Sequence, residues 1–263
     1  MMQPNCLYED KDRFEEIRKG LDNVNDLSKL FKLWKEAQKC ETKESFEKTA
    51  PFDIKQYDNQ DNINRFKENF IYDGVTSENG NADHDQKTEV LFILKESNSS
   101  EDIKNCFLSS SNTKDNFWFN KNPNDKTRKK YMAVFSDYLG LLPSSCDTRT
   151  FGYMNINKRG GLGSNDKARL KEYLKTYLPF ILKQIEIMDP DYIFICGFFD
   201  MFKEVLLSCH PKIGKENWSR CMDRHIQINK KTIRVMHMVH PSSWRKDSIN
   251  KNKNDLERII QLP

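Results

Sequence analysis

From Asp10 to about Lys48 the apolar residues Phe14, Ile17, Leu21, Leu27, Leu30, Phe31 and Trp34 recur at helical spacing between charged neighbours, which predicts amphipathic helices packed on a larger body. The stretch from Tyr72 to Lys87 has no periodicity and is rich in Gly, Asn, Asp and Ser, so it reads as a loop, with a domain boundary just after it. Beyond that boundary the pattern changes. Val90-Leu91-Phe92-Ile93-Leu94 is a short unbroken apolar run between polar residues, which fits a buried central strand. Thr150 to Ile156, Tyr192 to Cys196 and Ile233 to Val239 are further candidate strands. The last follows a hairpin partner, His225 to Asn229, with Asn229-Lys230-Lys231 in the turn.

A long helix is predicted from near Asp166, with Leu170, Tyr173, Leu174, Tyr177, Leu178, Ile181 and Ile185 on one face and a kink or break at Pro179. Another is predicted over Phe198 to Leu207. Strands alternating with helices imply crossover connections, hence an α/β domain over residues 88–263, three-layer αβα, with a central mainly parallel four-stranded sheet. Residues 1–87 form a helical N-terminal extension and loop. In such sheets ligands bind at the carboxyl ends of the strands, and three of the four strands end in polar clusters: Glu96 to Ser100, Asn155 to Arg159 and His240 to Arg245.

Composition narrows the class. Charged residues make up 31% of the chain, yet 17 Phe, 9 Tyr and 4 Trp are too many for a disordered polymer, so a polar, folded protein is expected. No run approaches the roughly 20 apolar residues that cross a bilayer, and the first residues lack a signal-peptide core, which predicts a cytoplasmic protein with no membrane partner. Seven scattered cysteines without CxxC spacing indicate neither disulfides nor a metal or iron–sulfur site, and no cofactor is expected. The net charge of +4 hides a segregation: 17 basic against 24 acidic residues over 1–120, but 10 against 4 over 121–170 and 12 against 5 over 211–263. Concentrated positive charge suits a face that displaces counterions from phosphates, although it also describes a solvated surface.

The segment Val239-His240-Pro241-Ser242-Ser243-Trp244-Arg245 is similar to the His-Pro-Ser loop of the uracil-DNA glycosylase superfamily. Tyr153-Met154-Asn155-Ile156-Asn157-Lys158 is similar to the strand end that offers an asparagine to the flipped base in that family. The run Asp189 to Gly197 resembles the family's third strand, with its Pro-rich entry and glycine exit. The resemblance covers about residues 88 to 263. It departs from the pattern at the first motif, where Lys95-Glu96-Ser97-Asn98 replaces a glycine-led segment ending in proline: read without a gap, Glu96 takes the place of a family glutamate, and shifted by one, Asn98 takes that of an asparagine or aspartate.

The resemblance implies an enzyme that extrudes a nucleotide from DNA, reads its base in a pocket and hydrolyses the bond to deoxyribose, leaving an abasic site. Asn155 would read a pyrimidine edge, since an amide both donates and accepts; its other reading is a turn-capping asparagine. His240 would donate a hydrogen bond to the base oxygen as charge develops there. Glu96 or Asn98 would orient the attacking water; the other reading of this segment is a helix N-cap by Ser97 or Asn98. Trp244 would fill the hole left in the stack, or lie in the core, with Arg245, Ser242, Ser243, Lys158 and Arg159 on the DNA backbone. One of Phe117, Trp118 and Phe119 would stack on the base, the others being buried, and Ser97, Ser99 and Ser100 would line the pocket. Small serines there admit a larger 5-substituent, so uracil and a 5-modified, even glucosylated, cytosine are both candidate bases, in repair or in anti-phage defence.

The partner is then DNA, duplex with a flipped base or single-stranded, bound by a monomer. Two other classes stay open: a catalytically silent member that binds DNA or a protein through the same surface, and an α/β enzyme acting on free nucleosides, which would need no basic face.

Overall fold

A computed structural model describes residues 11–50, 70–77, 87–98, 126–161, 166–209, 223–228, 230–243 and 246–260. Among these the elements in chain order are α1 (Lys11–Lys19), a 3-10 turn (Gly20–Asn23), α2 (Leu27–Lys39), α3 (Lys43–Thr49), β1 (Gly74–Ser77), β2 (Val90–Asn98), α4 (Lys126–Leu139), β3 (Thr150–Gly161), α5 (Lys167–Met188), β4 (Tyr192–Cys196), α6 (Phe199–Cys209), β5 (Asp223–Ile228), β6 (Lys231–Met238) and α7 (Lys246–Ile260). None of these helices is long and apolar enough to cross a membrane.

The class is α/β, but the sheet is wider and more mixed than expected. Six strands run in the order β1-β3-β2-β4-β6-β5. Strand β4 is parallel to both β2 and β6, while the edge strands are antiparallel, β1 to β3 and β5 to β6. Strand β1 falls inside the expected loop and pairs Gly74–Ser77 with Tyr153–Thr150. The chain therefore does not divide at residue 87. It forms two compact units of interleaved segments, one of Met1–Tyr72, Glu96–Asn116 and Ile156–Ile187, the other of Asp73–Lys95, Phe117–Asn155 and Met188–Pro263.

In the second unit, strand alternation sends Val90, Phe92 and Leu94, Phe151 and Tyr153, Phe194 and Cys196, and Met236 and Met238 to one face, where they meet Tyr131, Phe135 and Tyr138 of α4 and Ile249 and Leu256 of α7. Phe92 stacks between Phe135 (4.1 Å) and Phe194 (5.1 Å), which ties α4 to the centre of the sheet. Helix α6 packs on β4 and β6 from the opposite face, where Phe199 meets His237 at 5.7 Å. Helix, sheet and helix thus form three layers. At the amino ends of the strands, Lys231 bonds the Asp189 carbonyl at 2.6 Å and pairs with the Asp191 carboxylate at 3.0 Å, fixing the entry to β4.

In the first unit the predicted stripes are the observed ones. Helix α2 buries Leu27, Leu30, Phe31, Trp34, Ala37 and Gln38, and Asp26 caps its start by accepting from Lys29 N–H at 2.8 Å. Helix α5 buries Tyr173, Leu174, Tyr177, Leu178, Phe180 and Ile181, and Trp34 lies on Tyr177 (6.3 Å) and Phe180 (5.6 Å). Of the expected kink or break at Pro179 there is no break: α5 continues as one helix through it. The missing N–H and the ring clash carry a penalty of about 3 kcal/mol in a helix interior, and burial of four large side chains around that turn offsets it.

Candidate active site

The parallel strands set the site. Chain order leaves β2 toward β3 on one side and resumes at β4 on the other, so the order reverses between β2 and β4, whose Val90–Ile93 and Tyr192–Ile195 pair in register. Open α/β sheets bind ligands at the carboxyl ends of strands at such a reversal. Here β4 ends at Cys196 opposite Met238, and Gly197 N–H donates to the Met238 carbonyl at 2.7 Å. Gly197 has φ +82°, and a Cβ added to it would lie 2.9 Å from the His240 Cβ. A side chain at 197 would therefore be strained and would displace the histidine.

His240 is half-buried just past β6. The backbone N–H of Ser242 donates to its Nδ1 at 3.2 Å, with the Ser242 hydroxyl also 2.7 Å from that atom. Nδ1 is thus an acceptor, and the neutral ring carries its proton on Nε2. Burial, then the charges of Lys95 and Lys130, pull the imidazole down to about 4, so at neutral pH it is an uncharged donor. Lys130, from the first turn of α4, reaches the carbonyls of Ser242 and Ser243, each at 3.2 Å, and holds the loop closed. Tyr131 presents its ring edge-on to His240 at 5.8 Å, and its hydroxyl bonds Ser242. Burial first pushes the Tyr131 phenol up to about 12, which keeps it protonated.

Asn155 lies on β3 with no exposed surface. Its backbone N–H donates to the buried carboxylate of Asp73 at 2.6 Å, and its Oδ1 faces the Tyr153 hydroxyl at 3.5 Å. Among the described residues its Nδ2 has no hydrogen-bond partner. Tyr153 and Tyr131 interact electrostatically, and Phe135 contacts both rings, so Asn155 and His240 belong to one connected patch of the second unit.

Of the remaining candidates, Glu96, Ser97 and Asn98 are the last residues of β2, with side chains outside the described set. Ser99, Phe117, Phe119, Trp244 and Arg245 lie outside the described residues altogether. Ser242 and Ser243 are on the His240 loop, where the exposed Ser242 bonds the imidazole.

Lys158 and Arg159, expected on the DNA backbone, are instead completely buried in the first unit. Lys158 sits over Trp34 (5.0 Å) and Phe31 (5.5 Å). Arg159 pairs with Glu41, donates to Thr49 at 2.9 Å and to Tyr177 at 3.2 Å, and faces the Phe46 ring at 4.9 Å. Burial opposes its charge, but Glu41 more than offsets this and raises its pKa. The cause of the correction is strand length: β3 continues past Ile156 to Gly161 and carries both cations inward.

Sequence reasoning missed Asp73, Lys130 as a loop clamp, and Tyr131. Only Tyr131 had a signal, as the first member of the helical stripe Tyr131, Phe135, Tyr138 and Leu142. Compared with profiles of known protein families and with curated proteins, the chain matches none, so its chemistry is read from its own geometry.

Proposed function

We propose that this chain is a DNA glycosylase that flips a pyrimidine, uracil or a 5-modified cytosine, and hydrolyses its N-glycosidic bond. The observation that carries the reading is the orphaned amide of Asn155. A buried donor without a partner costs about 1–3 kcal/mol and calls for an explanation in a native structure, and a ligand that accepts its hydrogen bond supplies one. A second neutral donor, Nε2–H of His240, belongs to the same patch. In this reading Asn155 fixes the base, while His240 stabilises negative charge on a base oxygen as the bond to the sugar breaks. Glu96 or Asn98 orients the water. Strands β3, β2, β4 and β6 are the core of a uracil-DNA glycosylase-like domain, with β1 and β5 added at its edges. Exposed Lys126, Lys129 and Lys130 on the first turn of α4 place positive charge beside the His240 loop, where phosphates approach.

The test is incubation of the purified protein with duplexes carrying uracil, hydroxymethylcytosine or glucosylated hydroxymethylcytosine, followed by alkali cleavage. Breaks on one duplex that disappear in His240→Ala establish the activity and name the base. Salt-sensitive binding with no breaks on any duplex supports the silent DNA-binding alternative.

A further inference from the structure

Strand β6 ends at Met238, but the two residues that lead to His240 still carry backbone groups that need partners. Met238 turns its carbonyl toward β4, where Gly197 N–H takes it. By strand alternation the groups of His237 and Val239 face the other way, toward β5. That strand is described from Asp223, opposite Met236. Both groups are bonded by one side chain. Asn252 of α7, 5% exposed, donates through Nδ2 to the His237 carbonyl at 3.2 Å and accepts through Oδ1 from Val239 N–H at 3.2 Å. The Tyr138 hydroxyl donates to the same Oδ1 at 2.6 Å and holds the amide in that orientation.

We infer that Asn252 is a positioning residue for His240: its amide bonds the backbone on both sides of Met238 and sets the direction in which the His240 loop leaves the sheet. The inference rests on the functional reading only for its kinetic consequence, since the geometry belongs to the free protein. The groups facing the imidazole are Lys95 of β2, Lys130 and Tyr131 of α4, and Ser242 of its own loop. If the loop swings, the ring leaves this enclosure and regains water, so its titration reports its position.

The experiment is a pH titration of the imidazole nitrogens by NMR in the full chain, with base release measured in parallel. For Asn252→Leu, the His240 midpoint is expected to move from about 4 upward by about one unit or more as burial is relieved. On an active duplex kcat should fall about 10²-fold, with KM little changed. Tyr138→Phe removes one bond from the amide but leaves both backbone contacts, so it should lower stability without moving the titration. A folded Asn252→Leu with the His240 midpoint and tautomer of the parent protein overturns the inference. If that variant fails to fold, Asn252→Ser, whose hydroxyl is too short to span His237 and Val239, is read in the same way. A moved titration in a protein that releases no base from any duplex leaves the positioning role standing and counts against the glycosylase reading alone.

Discussion

Two buried polar groups on one strand behave in opposite ways. Arg159 meets a counter-ion: the two oxygens of Glu41 accept from Ser45, Thr49, Tyr177 and Arg159 itself, and aromatic faces lie against the guanidinium. Asn155, four positions earlier on β3, is equally buried yet keeps an unpaired amide. The contrast separates two uses of a costly group. A charge that meets its counter-ion inside one unit holds that unit together, whereas an amide donor with no hydrogen bond among the described residues is open to a ligand.

Removing Glu41 should give the largest effect. Glu41→Ala leaves the Arg159 charge buried without its counter-ion, which should lower the unfolding free energy by about 3–5 kcal/mol in urea titrations. Base release per folded molecule should be nearly unchanged, and a selective loss of turnover would break the comparison by giving the cluster a catalytic part. His240→Gln should do the reverse, with kcat down about 10²–10³-fold, the effect of losing one donor at a developing oxyanion, and stability little altered.

Asn155→Leu sharpens the contrast further. If the amide waits for a ligand, an apolar side chain of similar size relieves an unsatisfied group, so thermal unfolding should show stability held or raised by about 1 kcal/mol while base release is lost. A loss of several kcal/mol would instead make Asn155 a structural residue like Arg159.

A further effect is in pH. His240 titrates near 4 when folded and near 6.5 when unfolded, so below 6.5 the unfolded chain takes up the proton first. This group therefore makes stability fall as pH drops from about 6.5 to about 4 and adds no slope above that window. Denaturation curves of His240→Gln, compared with the parent protein, should lack that increment.

Elements whose burial is written in their own residues were legible. The unbroken run of β2, the run of β4 and the stripes of α2 and α5 carry their periodicity on their face, and the His-Pro-Ser segment lies just beyond β6 as expected. What escaped was burial supplied from elsewhere. Asn157, Lys158 and Arg159 look like a strand's polar exit, and only partners on α2, α3 and α5 turn them into core. Strand β1 is four residues long in a Gly- and Asn-rich stretch, and its pairing with β3 gives it its form. Asp73 likewise has no signature of its own, because its use depends on which N–H the sheet brings to it.

The Glu41 cluster also orders events during synthesis. Its ion pair joins residues 118 positions apart, and its bond to Tyr177 spans 136. The first helices emerge from the ribosome long before the residues that complete their core, and their apolar faces stay uncovered until α5 has been made. Helices α2 and α3 thus reach their full burial only after α5 has joined them.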